Sequence, residues 1–161
     1  MTDSMTDVLS DAVLAKIEKE TAKYPVPRAA VKSALRYAQD EHGWVSDDVV
    51  RSVARVLGLQ PIEVYEIATF YDHFDTRPAG RHRIKVCTSV SCLLRECDVI
   101  VEHLQSKLGI EFGETTDDGR FSLYESECLA ACCGAPMMMI GDHYYENLTP
   151  DRVDAILEEL D

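Results

Sequence analysis

The chain has 161 residues, a hydrophobic share of 46% and a formal net charge of −13. This length fits one domain or one domain with an appendage, and the hydrophobic share excludes a largely disordered chain. The acidity argues against nucleic acid and anionic membrane surfaces as partners. The polar start, residues 1–7, lacks the basic and apolar segments of a secretory signal, so we expect a cytoplasmic protein. Six cysteines in such a chain indicate metal or redox chemistry more than disulfides.

Four short helices are predicted in the first half of the chain. The first begins at Ser10 and ends near Lys23, and the second carries an apolar face through residues 30–38 and stops at Gly43. The third runs from Ser46 to Gly58, and the fourth opens at Pro61 and continues to about Tyr71. The short connections between them predict a small four-helix bundle as the first domain, residues 1–80.

The hydrophobic period changes after a predicted linker at residues 77–80. Alternating apolar residues predict strands at 83–87 and 121–125, and a 3.6-residue period predicts a helix from Leu93 to Leu108. Two further strands, 137–140 and 143–146, flank a Gly-Asp turn, and a last helix opens at Thr149 and Pro150. The order β-α-β-β-β-α predicts an α/β arrangement around a small mixed sheet as the second domain, residues 81–161. The whole chain is therefore expected to be α+β.

Two cysteine pairs flank the predicted helix and second strand of this domain. Cys87 and Cys92 form a C-x4-C pair, and Cys128 and Cys132 form a C-x3-C pair. Four thiolates from two loops make a soft sulfur environment that suits an iron–sulfur cluster or a zinc ion. Structural zinc sites more often use tighter C-x2-C arms, so the wider spacing favours iron–sulfur over a structural zinc module. The chain has no C-x-x-C motif, which counts against a thiol–disulfide enzyme.

Two other cysteines compete with these four. Cys97 lies on the apolar stripe of the predicted helix, where a free cysteine usually packs as a small hydrophobe. Cys133 neighbours Cys132, and the following Gly-Ala-Pro predicts a tight turn toward the next strand, so we favour Cys132 as the ligand.

Six stretches in order resemble a known family. They are residues 66–71, 77–82, 86–92, 127–132, 135–138 and 145–150. Together they look like the NuoE-type subunits, the thioredoxin-like [2Fe–2S] subunits of respiratory complex I (NADH:quinone oxidoreductase). The resemblance implies a thioredoxin-like [2Fe–2S] ferredoxin domain after the helical bundle, with ligands at Cys87, Cys92, Cys128 and Cys132. Ala130 departs from the family, which usually has glycine there.

The resemblance also implies a function. The cluster exchanges single electrons with the FMN of a partner flavin subunit, which takes a hydride from NADH. The chain has no G-x-G-x-x-G motif and no P-loop, so NADH and FMN are expected on that partner and no independent catalysis is expected here. The implied partners are this flavin subunit and other peripheral-arm subunits, at the cytoplasmic membrane surface through the complex. Similar subunits of NAD-linked hydrogenases and formate dehydrogenases remain an alternative.

The helical bundle carries no ligand and is predicted to serve in docking. Trp44, Phe70, Tyr71 and Phe74 are more aromatic side chains than four short helices need for their own core. Aromatic residues are common anchors of interfaces. The competing interpretation is that all four simply fill the bundle core.

Overall fold

The computed structural model describes residues 8–160, which form two compact units, up to Pro78 and from Ala79 onward. Residues 1–7, on which the expectation of a missing secretory signal depends, lie outside the described residues. Among residues 8–160, no helix is both long enough and apolar enough to cross a membrane.

The first unit is helical. Its α-helices are α1 (Asp11–Thr21), α2 (Val31–His42), α3 (Asp47–Leu57) and α4 (Pro61–Phe70), and a 3-10 turn at Pro27–Ala30 leads into α2. Local signals define their ends: the Ser10 and Ser46 side chains each accept the backbone N–H three residues on, while Gly43 and Gly58 adopt the left-handed conformation that stops a helix.

One apolar core joins the helices of the first unit. Its largest fully buried side chains come from all four helices, and they are Ile17, Val31, Leu35, Val49, Val53 and Val64. Phe74, which follows α4, is also buried in this core. Phe70 is 79% exposed, Tyr71 is also exposed and Trp44 is half-buried. Phe74, one of the four aromatic residues predicted for docking, therefore packs in the core of the first unit and is not available to a partner.

The second unit contains a mixed four-stranded sheet. Its strands are β1 (His82–Cys87), β2 (Phe121–Ser126), β3 (Met138–Ile140) and β4 (His143–Tyr145), in the order β2-β1-β3-β4. β1 pairs in parallel with β2, placing Cys87 opposite Ser126, and pairs antiparallel with β3. The two neighbouring parallel strands therefore end at the same edge of the sheet.

The helices of this unit are α5 (Val90–Leu93), α6 (Cys97–Leu108) and α7 (Pro150–Glu159). Buried residues of α6, α7 and the sheet share one core, which includes Ile84, Ile100, Leu104, Leu123, Val153 and Leu157. His103 Nε2 lies 2.7 Å from Asp154 Oδ1 and ties α6 to α7.

The single helix predicted from Leu93 to Leu108 is wrong at its start. α5 ends at Leu93, and α6 begins at Cys97 after Glu96 adopts a left-handed backbone, with φ of 61°. The left-handed residue interrupts the helix, and Leu93 is exposed while Cys97 and Ile100 are buried. The helical period of apolar residues from Cys97 onward was predicted correctly, since Ile100 and Leu104 in this part of the helix are buried.

Candidate metal centre

The first cysteine pair is buried. Cys87 ends β1, and Cys92 lies in α5 with only 1% of its surface exposed. Both thiols belong to a small apolar cluster with Cys97, Ala135 and Met137. The backbone N–H of Cys87 donates to the carbonyl oxygen of Met137 at 3.2 Å, which fixes the end of β1 against the start of β3.

Burial makes the Cys92 thiol hard to ionise. Loss of solvation, followed by the hydrogen bond with the Cys87 thiol, raises the pKa of Cys92 to about 11. Burial also raises the pKa of the Cys97 thiol. Metal ligation needs the thiolate, so uptake of a metal at this pair must release protons.

The second cysteine pair is exposed. Cys128 and Cys132 lie in the loop between β2 and β3, and their sulfur atoms are 3.8 Å apart. Between them, Ala130 has a left-handed backbone with φ of 64°. This conformation directs its N–H toward Cys128 Sγ, at 3.4 Å. A short 3-10 turn, Cys132–Gly134, closes the loop.

Hydrogen bonds connect the two cysteine loops. The Cys87 thiol donates to the carbonyl oxygen of Glu127 at 3.0 Å, one residue before Cys128. The Thr88 N–H donates to the carbonyl oxygen of Ser126 at 3.0 Å, and its hydroxyl donates to Glu125 Oε1 at 2.9 Å. Parallel pairing of β1 and β2 brings both pairs to one sheet edge, and these bonds hold the loops together there.

The donor set fits a thiolate-bound cluster. Within residues 8–160, no three cysteine, histidine or carboxylate side chains converge on a single metal position. The structure instead places the four predicted thiols in two separate pairs, Cys87 with Cys92 and Cys128 with Cys132, and the Cys87 thiol reaches the backbone of the second pair's loop at Glu127. A [2Fe–2S] cluster takes four cysteine ligands shared between two iron atoms, so two thiol pairs match its chemistry.

The two remaining cysteines differ in environment. Cys97 is 2% exposed and packs against the buried pair, as its place on the apolar stripe predicts. Cys133 is exposed next to Cys132. The contacts of Glu127, Met137 and Ala130 could not be predicted from sequence because all three act through backbone atoms, which leave little trace in residue type. Ala130, where the resembling family usually has glycine, was the one available signal.

Comparison with known proteins identifies the family. A family model described as thioredoxin-like [2Fe–2S] ferredoxin matches residues 17–161. The chain belongs to this family. An E-type subunit of the NADH-quinone oxidoreductase of Rhizobium meliloti is 47% identical to this ferredoxin over 145 residues, which are 90% of the chain and 86% of the relative. The E-type subunit of the NADH-quinone oxidoreductase of Rickettsia bellii is 43% identical over 86% of the chain and 84% of the relative.

A solved structure extends the likeness. A chain of an NAD⁺-reducing [NiFe]-hydrogenase in the air-oxidised state aligns with a TM-score of 0.72 and 25% identity. The alignment covers 81% of the ferredoxin but only 22% of the hydrogenase chain, so the ferredoxin spans about a fifth of that protein. The predicted thioredoxin-like ferredoxin family and its [2Fe–2S] cofactor are confirmed by the family match.

Proposed function

We propose that this chain is the electron-transfer subunit of an NADH:quinone oxidoreductase of the complex I type and carries one [2Fe–2S] cluster. The observation that carries this proposal is 47% identity, over 90% of the chain, to an E-type subunit of an NADH-quinone oxidoreductase. When bound, the cluster supplies a one-electron carrier. The chain's own part is to hold that carrier and to present it to a partner.

We propose Cys87, Cys92, Cys128 and Cys132 as the cluster ligands. Two observations support this set: the 3.8 Å separation of Cys128 Sγ and Cys132 Sγ, and the hydrogen bond from the Cys87 thiol to Glu127 at the start of the second loop. The buried pair excludes water from one side, and the exposed pair leaves the other side open to a partner. The N–H of Ala130 donates toward Cys128 Sγ at 3.4 Å and supports the position of this thiol.

We propose that the two compact units act as separate domains, a four-helix bundle in residues 1–80 and the cluster-binding domain in residues 81–161. The bundle is a docking module. Its support is the exposed face of α4, where Ile62 and Phe70 are largely exposed although α4 is rich in apolar residues. Exposed apolar patches of this kind mark interaction sites.

The proposed partners are the flavin and NADH-binding subunit and other peripheral-arm subunits of the complex. NADH and FMN bind that flavin subunit, and this chain reaches the cytoplasmic membrane surface only through the assembly. The absence of a G-x-G-x-x-G motif and of a P-loop from the sequence supports this division of labour.

The corresponding subunit of an NAD-linked hydrogenase is the second candidate, because a hydrogenase chain aligns over 81% of this protein. A formate dehydrogenase of the same design would use the same module. The composition of the native complex distinguishes them: quinone-reducing membrane-arm subunits support complex I, and a nickel–iron subunit supports the hydrogenase.

An electron-transfer assay tests the proposed function. Dithionite is expected to reduce the cluster of the isolated full-length chain, whereas NADH is expected to reduce it only after the flavin subunit is added. Bleaching of the visible absorption and the low-temperature EPR signal measure reduction. Reduction by NADH without the flavin subunit would place a nucleotide site on this chain, and failure with the subunit present would contradict the proposal.

A substitution tests docking by the bundle. Phe70→Ala is expected to weaken binding to the flavin subunit about tenfold or more, since truncation of an aromatic anchor commonly costs this much. Val26→Ala truncates an exposed apolar side chain of the same unit outside α4 and serves as the control. Equal affinities of both variants and the wild type would remove α4 from the interface.

A further inference from the structure

The six thiols of the chain divide into a buried set and an exposed set. The three thiols at the end of β1, in α5 and at the start of α6 are at most 3% exposed. The three thiols of the loop between β2 and β3, which belong to Cys128, Cys132 and Cys133, are exposed. Oxidants reach a thiol through solvent, so susceptibility follows exposure. Oxidation of the cluster-free chain is therefore expected to fall on the loop.

Two of the exposed thiols already lie close together. Cys128 Sγ is 3.8 Å from Cys132 Sγ. Only three residues separate the two cysteines, and the left-handed Ala130 among them directs its N–H toward Cys128 Sγ. The sulfur atoms of a disulfide are about 2.05 Å apart, so a shift of less than about 2 Å within the loop would join this pair.

Two long-range hydrogen bonds hold the loop at its ends. The Cys87 thiol donates to the carbonyl oxygen of Glu127 at 3.0 Å, just before Cys128. The Asn147 N–H donates to the carbonyl oxygen of Gly134 at 2.6 Å, beyond the second thiol of the pair. Both bonds lie outside residues 128–132, so the two sulfur atoms can approach each other while the ends of the loop stay in place.

The spacing of this pair favours a reversible disulfide over a catalytic one. In a cytoplasmic chain, as proposed above, a disulfide is usually transient and serves either catalysis or redox sensing. Thiol–disulfide enzymes of the thioredoxin type use a C-x-x-C motif, which this chain lacks. A C-x3-C pair that also supplies proposed metal ligands therefore fits a redox-sensitive modification of the chain itself.

We propose that Cys128 and Cys132 form a reversible disulfide when the chain lacks its cluster, and that this bond blocks cluster loading until it is reduced. The effect on loading rests on the proposed function, because that function makes both cysteines cluster ligands. A [2Fe–2S] cluster takes four cysteine ligands, and the disulfide leaves only two of the proposed four. The thiolate is the metal-binding form of cysteine, and neither sulfur atom of a disulfide is a thiolate.

Two exchange steps form the bond, with a small-molecule disulfide such as oxidised glutathione as the oxidant. The thiolate of one loop cysteine attacks a sulfur atom of oxidised glutathione, which forms a mixed disulfide and releases one glutathione thiolate. The thiolate of the other loop cysteine attacks the protein sulfur atom of this mixed disulfide and releases the second glutathione thiolate. The protein loses two electrons and two protons, and the two glutathione molecules gain them. A reduced dithiol reverses both steps.

Thiol counting in the full-length chain tests the disulfide. The cluster-free chain, with its fold verified by circular dichroism, is incubated with oxidised glutathione and then alkylated. Mass spectrometry is expected to find four of the six thiols alkylated, with Cys128 and Cys132 protected and no glutathione attached. Dithiothreitol is expected to restore all six. The cluster-loaded chain is expected to keep both cysteines out of a disulfide under the same treatment.

A neighbouring cysteine provides the matched control. Cys133→Ser removes the exposed thiol outside the pair and is expected to form the same disulfide. In this background, Cys132→Ser is expected to retain a mixed disulfide between Cys128 and glutathione, because the second step has no attacking thiol. The proposal is overturned by a wild-type bond that includes Cys133 or a buried cysteine, by a disulfide-linked dimer, or by a wild-type chain that keeps all six thiols.

Cluster transfer separates this inference from the function beneath it. A scaffold protein carrying a [2Fe–2S] cluster is mixed, without thiol reductant, with the reduced chain and with the oxidised chain. The reduced chain is expected to gain the visible absorption and EPR signal of the cluster, and the oxidised chain is expected to gain them only after dithiothreitol is added. Equal loading of both would overturn the block. If the reduced chain takes no cluster either, the proposed function fails, and the thiol count alone decides the disulfide.

Discussion

Cys87 and Cys92 are buried among apolar side chains, whereas Cys128 and Cys132 lie exposed in a loop at the same edge of the sheet. Side-chain packing fixes the first pair, since its cluster includes Ala135 and Met137. Backbone geometry fixes the second pair, through the left-handed Ala130 and the 3-10 turn at Cys132–Gly134. One cysteine pair is therefore built with the core, and the other pair lies in a loop that stays exposed.

Thiol reactivity in the apoprotein should show the largest contrast between the pairs. A thiol of pKa about 11 contains on the order of 100-fold less thiolate at pH 8 than an unperturbed thiol, and burial slows its reaction further. Because Cys92 is buried with a raised pKa and Cys128 is exposed, Cys92 is expected to react with iodoacetamide far more slowly than Cys128. Mass spectrometry of timed samples measures both rates, and equal rates would show that the apoprotein does not bury Cys92.

Apoprotein stability should show the next contrast. Cys92→Ser places a hydroxyl in an apolar site and is expected to lower the free energy of unfolding by about 1–3 kcal/mol. Cys132→Ser changes an exposed position and is expected to stay within about 0.5 kcal/mol of the wild type. Urea denaturation of both apoproteins checks this, and similar losses would contradict the division into a packed half and a loop half.

Gly134 allows the loop that carries Cys128 and Cys132 to pack closely against Glu146, the residue after β4. A Cβ added at Gly134 would lie 2.5–2.7 Å from the side-chain atoms of Glu146, which is too close for the loop to keep its path. Gly134→Ala is expected to destabilise the apoprotein by about 1–3 kcal/mol through this overpacking. Glu146→Gly in the same chain removes the clashing side chain and is expected to recover most of the loss. If urea denaturation shows no recovery of stability in the double variant, the contact between residue 134 and the Glu146 side chain does not fix the path of the loop.

Ala130 should give the smallest effect. A left-handed backbone costs a non-glycine residue about 1–2 kcal/mol, and a glycine at Ala130 would remove this strain. Glycine also makes the unfolded chain more flexible, which lowers the free energy of unfolding by about 0.4–1 kcal/mol. Ala130→Gly is therefore expected to stabilise the apoprotein by about 0.5–1 kcal/mol. Ala131→Gly, at a φ of −108°, is expected to destabilise it, so thermal unfolding of the two variants should shift in opposite directions. Shifts of the same sign would contradict the strain at Ala130.

The elements that sequence predicted well are governed by local chemistry. Ser10 and Ser46 cap their helices and Gly43 and Gly58 end theirs, because these groups act on backbone atoms only a few residues away. The mixed sheet followed from period-2 runs, but its pairing of β1 between β2 and β3 depends on contacts more than 30 residues apart in sequence. Such contacts leave no local signal.

The break between α5 and α6 marks another limit of sequence. Leu93 and Cys97 share a helical period, yet the left-handed Glu96 separates them, and nothing in a glutamate predicts that conformation. Cysteine spacing predicted the four ligands from residue type alone, and this set stays a prediction; the structure shows Cys87 with Cys92 and Cys128 with Cys132 as two separate pairs. The backbone groups around them, such as the Glu127 carbonyl, were visible only in the fold.

The most direct test of the proposed ligand set is the cluster content of two neighbouring variants, Cys132→Ser and Cys133→Ala. Serine replaces a soft thiolate with a hard oxygen, so Cys132→Ser is expected to lose or strongly perturb the visible spectrum and the EPR signal of the dithionite-reduced [2Fe–2S] cluster. Cys133→Ala is expected to keep both unchanged, with iron and sulfide content equal to the wild type. An intact wild-type signal in Cys132→Ser, together with its loss in Cys133→Ala, would contradict the proposed ligands.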